Sequence, residues 1–186
     1  MILSREDLRK YIYEDKIRNL GEASKLKVFF LRFYKNDSYM AYDYLKSLRK
    51  YEYIINCGSG FIGKILKLYR RWYLNRLSRK YNIRIGVNMI GYGFWMPHIV
   101  GGGIIINCKK MGNYCGANVN VLVGNVGDNE NRPTFGDRVE LQTGCKVYGN
   151  ITIGDNVIIA PNAVVTKNIP SDSVVGGVPA KIIKKK

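Results

Sequence analysis

The sequence predicts a mainly β protein in which a small helical region precedes a stack of short strands. Up to about residue 81, apolar residues recur at helical spacing, whereas glycine, valine and isoleucine dominate after residue 82. In that second part apolar residues recur every six residues, a period that neither a helix nor a plain alternating strand produces. We therefore expect an α-helical region over residues 1–81 and stacked coils over residues 82–186.

Capping and spacing signals predict two helices early in the chain. Ser4 is in a capping arrangement for the first, which runs to Asn19 with Gly21 as its stop. The second runs from Asp37, as its N-cap, to Ile55. Its apolar residues lie at helical spacing: Ala41, Tyr44, Leu45, Leu48, Tyr51 and Ile55.

A third helix is predicted over residues 61–81, with an apolar side and a basic side. The apolar residues are Ile62, Ile65, Leu66, Tyr69, Trp72, Tyr73 and Leu77. The basic residues are Lys64, Lys67, Arg70, Arg71, Arg79 and Lys80. Because the aromatic residues fall at the spacing of a buried face, we expect them to pack in the core and the basic side to face outward.

The chain is strongly basic, with a formal net charge of +16 over 186 residues. Such a charge favours anionic partners, but alone it does not choose among nucleic acid, an acidic membrane surface, an acidic glycan and a phosphate-rich cofactor. Nucleic acid is disfavoured, since no base-reading motif is present and the aromatic residues of helix 61–81 lie away from its basic side. Peripheral membrane contact through that helix stays open.

The location predicted from the sequence is cytoplasmic, with the inner face of the membrane as an alternative. The N-terminus is charged within five residues, and no apolar run approaches the length of a membrane span. The four cysteines form no CxxC pair and have no clustered histidines, so neither a zinc site nor a redox pair is indicated.

Two lanes of small or apolar residues define the repeat. We expect both lanes to point inward, one on each side of a tight corner, in coils stacked on one another. The first lane is Ile99, Ile105, Met111, Ala117, Val123, Phe135, Leu141, Val147, Ile153, Ile159 and Val165, with a break at Asn129. The second is Val139, Cys145, Ile151, Val157, Ala163 and Ile169.

Three stretches carry a resemblance to a known family: the repeats from residue 135 to 169, the tail AVVTKNIPSDSVVGGVPAKII, and GYGFWMPH at residues 91–98. Together they resemble the hexapeptide acyltransferases, in particular serine acetyltransferases and sugar O-acetyltransferases. The resemblance implies a left-handed parallel β-helix, acetyl-CoA as co-substrate, and a homotrimer with each active site between neighbouring prisms. It also implies transfer of acetyl to a hydroxyl group.

His98 is the only histidine in the chain. A lone histidine in an apolar setting is commonly a packed core or corner residue bonded to a carbonyl group. The resemblance implies instead that His98 is the general base, which takes the proton from an acceptor hydroxyl as its oxygen attacks the thioester. We expect the catalytic role.

Two departures from the serine acetyltransferase pattern bear on the acceptor. Those enzymes carry an aspartate where this chain has Pro97, and a second histidine where it has Arg132. We therefore expect a sugar hydroxyl, as in surface polysaccharide biosynthesis, with L-serine as the alternative. Arg132 and Asn131 are predicted to bind the acceptor. They belong to an inserted polar loop at residues 124–134, either a flap over the acceptor or a solvated surface loop.

The C-terminal coils and the basic tail are implied to hold acetyl-CoA. The residues that match cofactor-binding positions are Thr143, Pro161, Thr166, Lys167, Lys181 and Lys184. Cys115 and Cys145 fall in the inward lanes, so we expect them to be buried and inert, and acetyl to pass directly to the acceptor. No metal is expected. The competing hypothesis is a non-catalytic protein that binds anionic surfaces through its basic helix.

Overall fold

The computed structural model of the protein describes residues 1–128 and 130–186, in which helices precede short strands. The helices are α1 (Arg5–Leu20), α2 (Lys25–Phe33), α3 (Asp37–Cys57) and α4 (Gly60–Tyr81). Three of them confirm the helices predicted from spacing. The short helix α2 was not predicted, and none of its residues is buried.

The helix starts follow from side chains that accept backbone N–H groups. The Ser4 hydroxyl oxygen accepts the amide of Asp7 at 3.0 Å and caps α1 as predicted. The prediction of Asp37 as the cap of α3 is wrong: Asn36 is the N-cap, and its side-chain oxygen accepts the amide of Ser38 at 3.0 Å. Asn36 has an extended backbone, as a cap requires, while Asp37 is already helical.

Helix α4 buries a different side from the one predicted. Its buried residues are Gly63, Leu74, Leu77 and Tyr81. Of the predicted core residues, only Leu77 is among them, and five are exposed: Ile62, Ile65, Leu66, Tyr69 and Trp72. The helix contacts α3 and the first strand through a narrow seam, so most of its apolar surface has nothing to pack against in this chain.

The strands form three sheets that the chain visits in turn. Sheet 1 contains β1 (Ile83–Ile85), β2 (Ile104–Ile106), β5 (Val121–Gly124), β8 (Lys146–Tyr148) and β11 (Val164–Val165). Sheet 2 contains β3 (Lys110–Met111), β6 (Thr134–Phe135) and β9 (Thr152–Ile153). Sheet 3 contains β4 (Gly116–Ala117), β7 (Glu140–Leu141), β10 (Ile158–Ile159), β12 (Ser173–Gly176) and β13 (Lys181–Lys185). This order makes a three-sided β-helix.

The predicted lanes form the core of the β-helix, with one exception. Every second-lane residue is buried, as are the first-lane residues in the described part of the chain apart from Ile105. In β2 the alternation is buried, exposed, buried, and Ile106 rather than Ile105 pairs with Val123 of the next coil. The extended corner between Pro97 and β2 shifts the register by one, which reverses the side that each residue faces. Asn129, where the lane breaks, lies outside the described residues.

The last strand closes the C-terminal end of the stack. Strand β13 turns back and pairs antiparallel with β12, whereas every other strand pair is parallel among the residues described. The preceding residues cover β11, since Val164 donates to the Gly177 carbonyl at 3.0 Å and accepts from Ala180 at 2.8 Å. None of the helices in the described ranges is long and apolar enough to cross a membrane.

Candidate active site

His98 lies at the corner where the first coil passes from sheet 3 to sheet 1. The preceding residues are part of the stack, because Trp95 bridges to Gly116 and its amide donates to the Cys115 carbonyl at 3.0 Å. Met96 and Ile99 are buried on either side, while the imidazole of His98 is exposed. The histidine is therefore a corner residue that faces outward from an anchored segment. It is not a packed core residue.

Helix α1 anchors that segment through buried polar side chains. The Asp15 carboxylate accepts the amide of Phe94 at 3.0 Å. The Asn19 side chain accepts the amide of Met96 at 3.1 Å and donates to the Phe94 carbonyl at 2.7 Å. These bonds fix the backbone up to two residues before His98 at both its donors and its acceptors. Pro97 has no N–H to donate, so this anchoring by backbone amides ends at Met96.

A buried arginine joins α1 and α3 to the same segment. The Arg49 guanidinium contacts the Asp15 carboxylate at 2.8 Å and the Glu52 carboxylate at 3.1 Å, and it also donates to the carbonyls of Ile90 and Gly91. Burial opposes its charge, but the two carboxylates outweigh burial and raise the pKa of Arg49 above its usual range. Arg49, Asp15 and Glu52 are all buried, and Arg49 donates four hydrogen bonds, which offset the cost of removing these charges from water.

The edge between sheets 3 and 1, the histidine edge, brings His98 into line with two predicted cofactor residues. In successive coils, Trp95 is in register with Gly116, Glu140 and Ile158. Thr143 and Pro161 therefore follow the same corner two and three coils further on, and both are exposed. Parallel strands are spaced by about 4.8 Å, which places these residues roughly 10 and 14 Å along the edge from His98.

The two predicted lysines of β13 lie at opposite ends of that strand. Lys181 pairs with Gly176 at the end of β12 and so lies toward the histidine edge. Lys184 pairs with Val174, at the other end of β12. Both side chains are exposed. Only Lys181 continues the line of Thr143 and Pro161.

The remaining predicted residues lie at a different edge. Thr166 and Lys167 follow β11, and Asn131 and Arg132 precede β6, so all four occupy the corner between sheets 1 and 2. Within one chain, the structure does not bring Asn131 and Arg132 to His98. The corner to which these four residues belong depends on where the polar loop enters the coils. The six-residue spacing of the lanes does not show that position.

Arg132 is held against the coil. Its guanidinium donates to the Asn107 side chain at 3.4 Å, and its Nε atom is buried without a partner among the described residues. The neighbouring loop is tied by short-range bonds, including those from the Asn125 side chain to the carbonyls of Gly127 and Asp128 at 2.9 Å. The described part of the loop is thus organised by its own polar groups.

Glu140 was not predicted as a site residue, yet it lies beside the histidine edge. With Trp95, Pro97, Asn118 and Gln142 it lines a small cleft beside the corner of His98. The Gln142 amide donates to the Glu140 carboxylate at 3.2 Å. Its position directly before the inward residue Leu141 predicts an outward-facing side chain, because neighbouring residues of a strand face opposite sides.

The cysteines do not form a reactive site. Cys108, Cys115 and Cys145 are buried, which confirms the expectation for Cys115 and Cys145, and Cys57 is exposed. Burial raises the pKa of each of the three buried thiols to about 12. A thiol that stays protonated at neutral pH is a poor nucleophile. The described residues contain no group of three metal-ligating side chains.

The repeats match a known family, and the chain has relatives in sequence and in structure. The family model described as "Bacterial transferase hexapeptide (six repeats)" matches residues 132–167, which span β6 to β11. A serine acetyltransferase from Synechococcus elongatus is 35% identical over 114 residues, 60% of this chain and 46% of that protein. The chain spans about half the length of the curated relatives it matches.

Solved structures of serine acetyltransferases share the fold. That from Neisseria gonorrhoeae has a TM-score of 0.70 at 23% identity, and the match covers 98% of this chain and 68% of that one. Another, in complex with CoA, has a TM-score of 0.71 at 20% identity, with 96% and 71% covered. At these identities the likeness concerns the fold. Residues 132–167 are therefore hexapeptide repeats, and the chain has a left-handed parallel β-helix fold and is similar to serine acetyltransferases in sequence and in structure.

Proposed function

We propose that the protein is an acetyl-CoA-dependent O-acetyltransferase in which His98 is the general base. The observation that carries the proposal is the histidine edge: an exposed imidazole lies on an anchored segment, in line with Thr143 and Pro161. The similarity to serine acetyltransferases supports the same chemistry.

The reaction requires a neutral imidazole within hydrogen-bond reach of the acceptor hydroxyl. His98 accepts the hydroxyl proton while the oxygen attacks the thioester carbonyl. The new C–O bond forms, the C–S bond breaks, and the proton held by His98 passes to the departing thiolate, so CoA leaves as a free thiol. Direct transfer suits a chain whose three buried thiols stay protonated.

We assign acetyl-CoA to the histidine edge, with its thioester at His98 and its length along Thr143, Pro161 and Lys181. A solved relative in complex with CoA supports the ligand class. The ammonium group of lysine binds phosphate as a flexible point charge. Lys181, at the far end of this line from His98, is therefore assigned to the phosphates of CoA. Thr166, Lys167 and Lys184 lie off this line within one chain.

A homotrimer brings together the predicted site residues that lie at different edges of one chain. If neighbouring prisms meet so that the histidine edge of one faces the edge between sheets 1 and 2 of the next, Asn131, Arg132, Thr166 and Lys167 of the second copy join His98 of the first. Cyclic assemblies form such contacts between unlike surfaces of identical chains. The outward residues of sheet 1, between the two edges, include the exposed Ile105.

L-serine is the acceptor that the relatives favour. A sugar hydroxyl is the second candidate, and two residues favour it: Pro97 and Arg132 stand where serine acetyltransferases carry an aspartate and a second histidine. A guanidinium at neutral pH binds an acidic group or the thioester oxygen and does not act as a base.

The test is release of free thiol from acetyl-CoA in the presence of L-serine or of a panel of monosaccharides. We expect acceptor-dependent release, and a fall of about 10²- to 10⁴-fold in kcat for His98→Ala. Because the imidazole is exposed, the melting temperature of this variant should stay close to that of the wild type. Val100→Ala, on the same exposed corner, is the matched control. If no acceptor increases the release of free thiol, the enzyme proposal is wrong. If kcat is unchanged in His98→Ala, His98 is not the general base.

A further inference from the structure

Helix α4 presents an apolar face to solvent. Phe61, Ile65, Leu68 and Trp72 follow one another at helical spacing on the side away from the buried seam. Phe61 is 78% exposed and Leu68 70%. Ile62 and Tyr69 widen this face. An exposed apolar patch of this extent, bordered by charged residues, marks an interaction site.

Helix α2, next to α4, has an exposed apolar face of its own. Leu26, Phe29, Phe30 and Phe33 recur at helical spacing and are all exposed. The C-terminal end of α2 lies beside α4, because Arg32 and Lys35 border a groove of about 440 Å³ with residues of α4. The residues that α4 gives to the groove are Tyr69, Trp72, Tyr73, Arg76, Leu77, Lys80 and Tyr81.

The charge on these two helices has one sign. They contain lysine and arginine but no aspartate or glutamate. The basic residues are Lys25, Lys27, Arg32, Lys64, Lys67, Arg70, Arg71, Arg76, Arg79 and Lys80. In the described ranges, the ion pairs are those of Arg49, so none of these ten side chains is neutralised by a carboxylate. Asp43 is the single acid in the groove.

We propose that this surface, the α2–α4 face, docks on an anionic lipid bilayer. Aliphatic and aromatic side chains enter the boundary between headgroups and acyl chains, while the flanking lysines and arginines contact lipid phosphates. The aromatic rings suit that depth, because they combine apolar area with polar atoms or edges.

The same observations disfavour two other occupants. A second copy docked through this face brings uncompensated cations such as Lys64, Arg76 and Arg79 against those of the first copy, and these charges repel each other. Nucleic acid binds through cations and stacking rings, but Ile62, Ile65 and Leu68 provide neither. The lipid surface alone uses both the aliphatic and the basic residues. The proposal does not depend on acetyl transfer.

Flotation of the full chain with vesicles tests it. We expect at least tenfold stronger partitioning onto phosphatidylcholine vesicles that contain phosphatidylglycerol than onto phosphatidylcholine alone, and a loss of binding as salt rises. Equal binding to both vesicle types, or binding to neither, overturns the proposal.

Two triple variants separate the apolar and basic contributions. Ile62→Gln with Ile65→Gln and Leu68→Gln removes exposed apolar side chains, and Lys64→Gln with Lys67→Gln and Arg71→Gln removes three charges. We expect the basic variant to lose roughly a hundredfold in partitioning, since each of the three cations near the surface contributes about a fivefold step. Arg5→Gln with Arg9→Gln and Arg138→Gln removes the same charge elsewhere and should bind like the wild type.

Two further results count against the lipid surface as the occupant. The first is an apolar triple variant that keeps full vesicle binding. The second is a lower molar mass of that variant in sedimentation equilibrium without lipid, which identifies the face as a contact between copies. Unchanged mass together with weakened vesicle binding supports the proposal.

Discussion

At the scale of single residues, the same repeat provides two kinds of position: inward positions, which hold the buried thiols, and corner positions, one of which holds the exposed imidazole of His98. Inward positions remove a side chain from water, and burial raises the pKa of the Cys145 thiol to about 12. Corner positions leave side chains such as His98 and Thr143 in contact with solvent. The corners of the prism therefore hold side chains that can react with solutes, whereas the inward lanes do not.

The buried thiols make stability depend on pH in the alkaline range. A thiol whose pKa is raised from 9 to about 12 on folding stabilises the fold fully below pH 9, and this contribution is lost as pH rises toward 12. Cys145→Ala should therefore be less stable than the wild type at pH 8. The difference in free energy of unfolding between the two proteins should narrow above pH 9 by up to about 1.4 kcal/mol per pH unit. Urea unfolding of both proteins between pH 8 and 10.5 measures this difference.

The exposed Cys57 provides the matched control. Cys57→Ala removes a thiol that is exposed in the folded protein, so it separates the loss of any thiol from the loss of a buried one. A gap for Cys145→Ala that does not change with pH contradicts the prediction.

At the scale of elements, α1 and α3 act on the site through backbone bonds to the segment before His98. The Asp15 carboxylate accepts hydrogen bonds from the amide of Phe94 and from the Arg49 guanidinium, and both contacts are buried. Arg49 in turn meets the free carbonyls of Ile90 and Gly91 at the start of the coils. The helices thus complete the first coil, which has no preceding coil to supply those bonds.

Asp15→Asn should destabilise the protein by about 3–5 kcal/mol, because it leaves the charge of Arg49 buried with a single carboxylate. Differential scanning calorimetry measures the loss. Glu6→Gln, on the exposed side of the same helix, serves as the control and should change stability by less than about 0.5 kcal/mol. A loss of similar size in both variants argues against the buried network as its cause.

The sequence predicted much of the fold because inward lanes and helical spacing are local patterns. It missed α2, none of whose nine residues is fully buried, and it placed Trp72 and Ile65 of α4 in a core that this chain does not provide. His98 was singled out by its uniqueness and its motif, and its catalytic role stays a prediction. The separation of His98 from Arg132 was not predicted, since each corner's place in the prism depends on the lengths of all the loops before it.

At the scale of the whole molecule, the two edges lie apart within one chain and the proposed site is complete only between copies. Mixing inactive subunits tests this arrangement. His98→Ala and Arg132→Ala should each be inactive alone, but co-refolded mixtures should regain activity at about a quarter of the sites, where both functional residues meet.

A mixture of each variant with itself gives the baseline for that experiment. Sedimentation equilibrium at micromolar concentration should give the mass of three chains. A monomeric mass, or mixtures no more active than the separate variants, rules out the shared site.

The two ends of the coil stack also set its length. Short parallel strands with free edges are templates on which further chains can add, as in fibres. Here one end is filled by Arg49, Asp15 and Asn19, which take up the backbone groups of the first coil. At the other, β13 runs antiparallel and carries three lysines along its exposed length. A solenoid that stacks coil on coil so readily is thereby kept from growing into a filament.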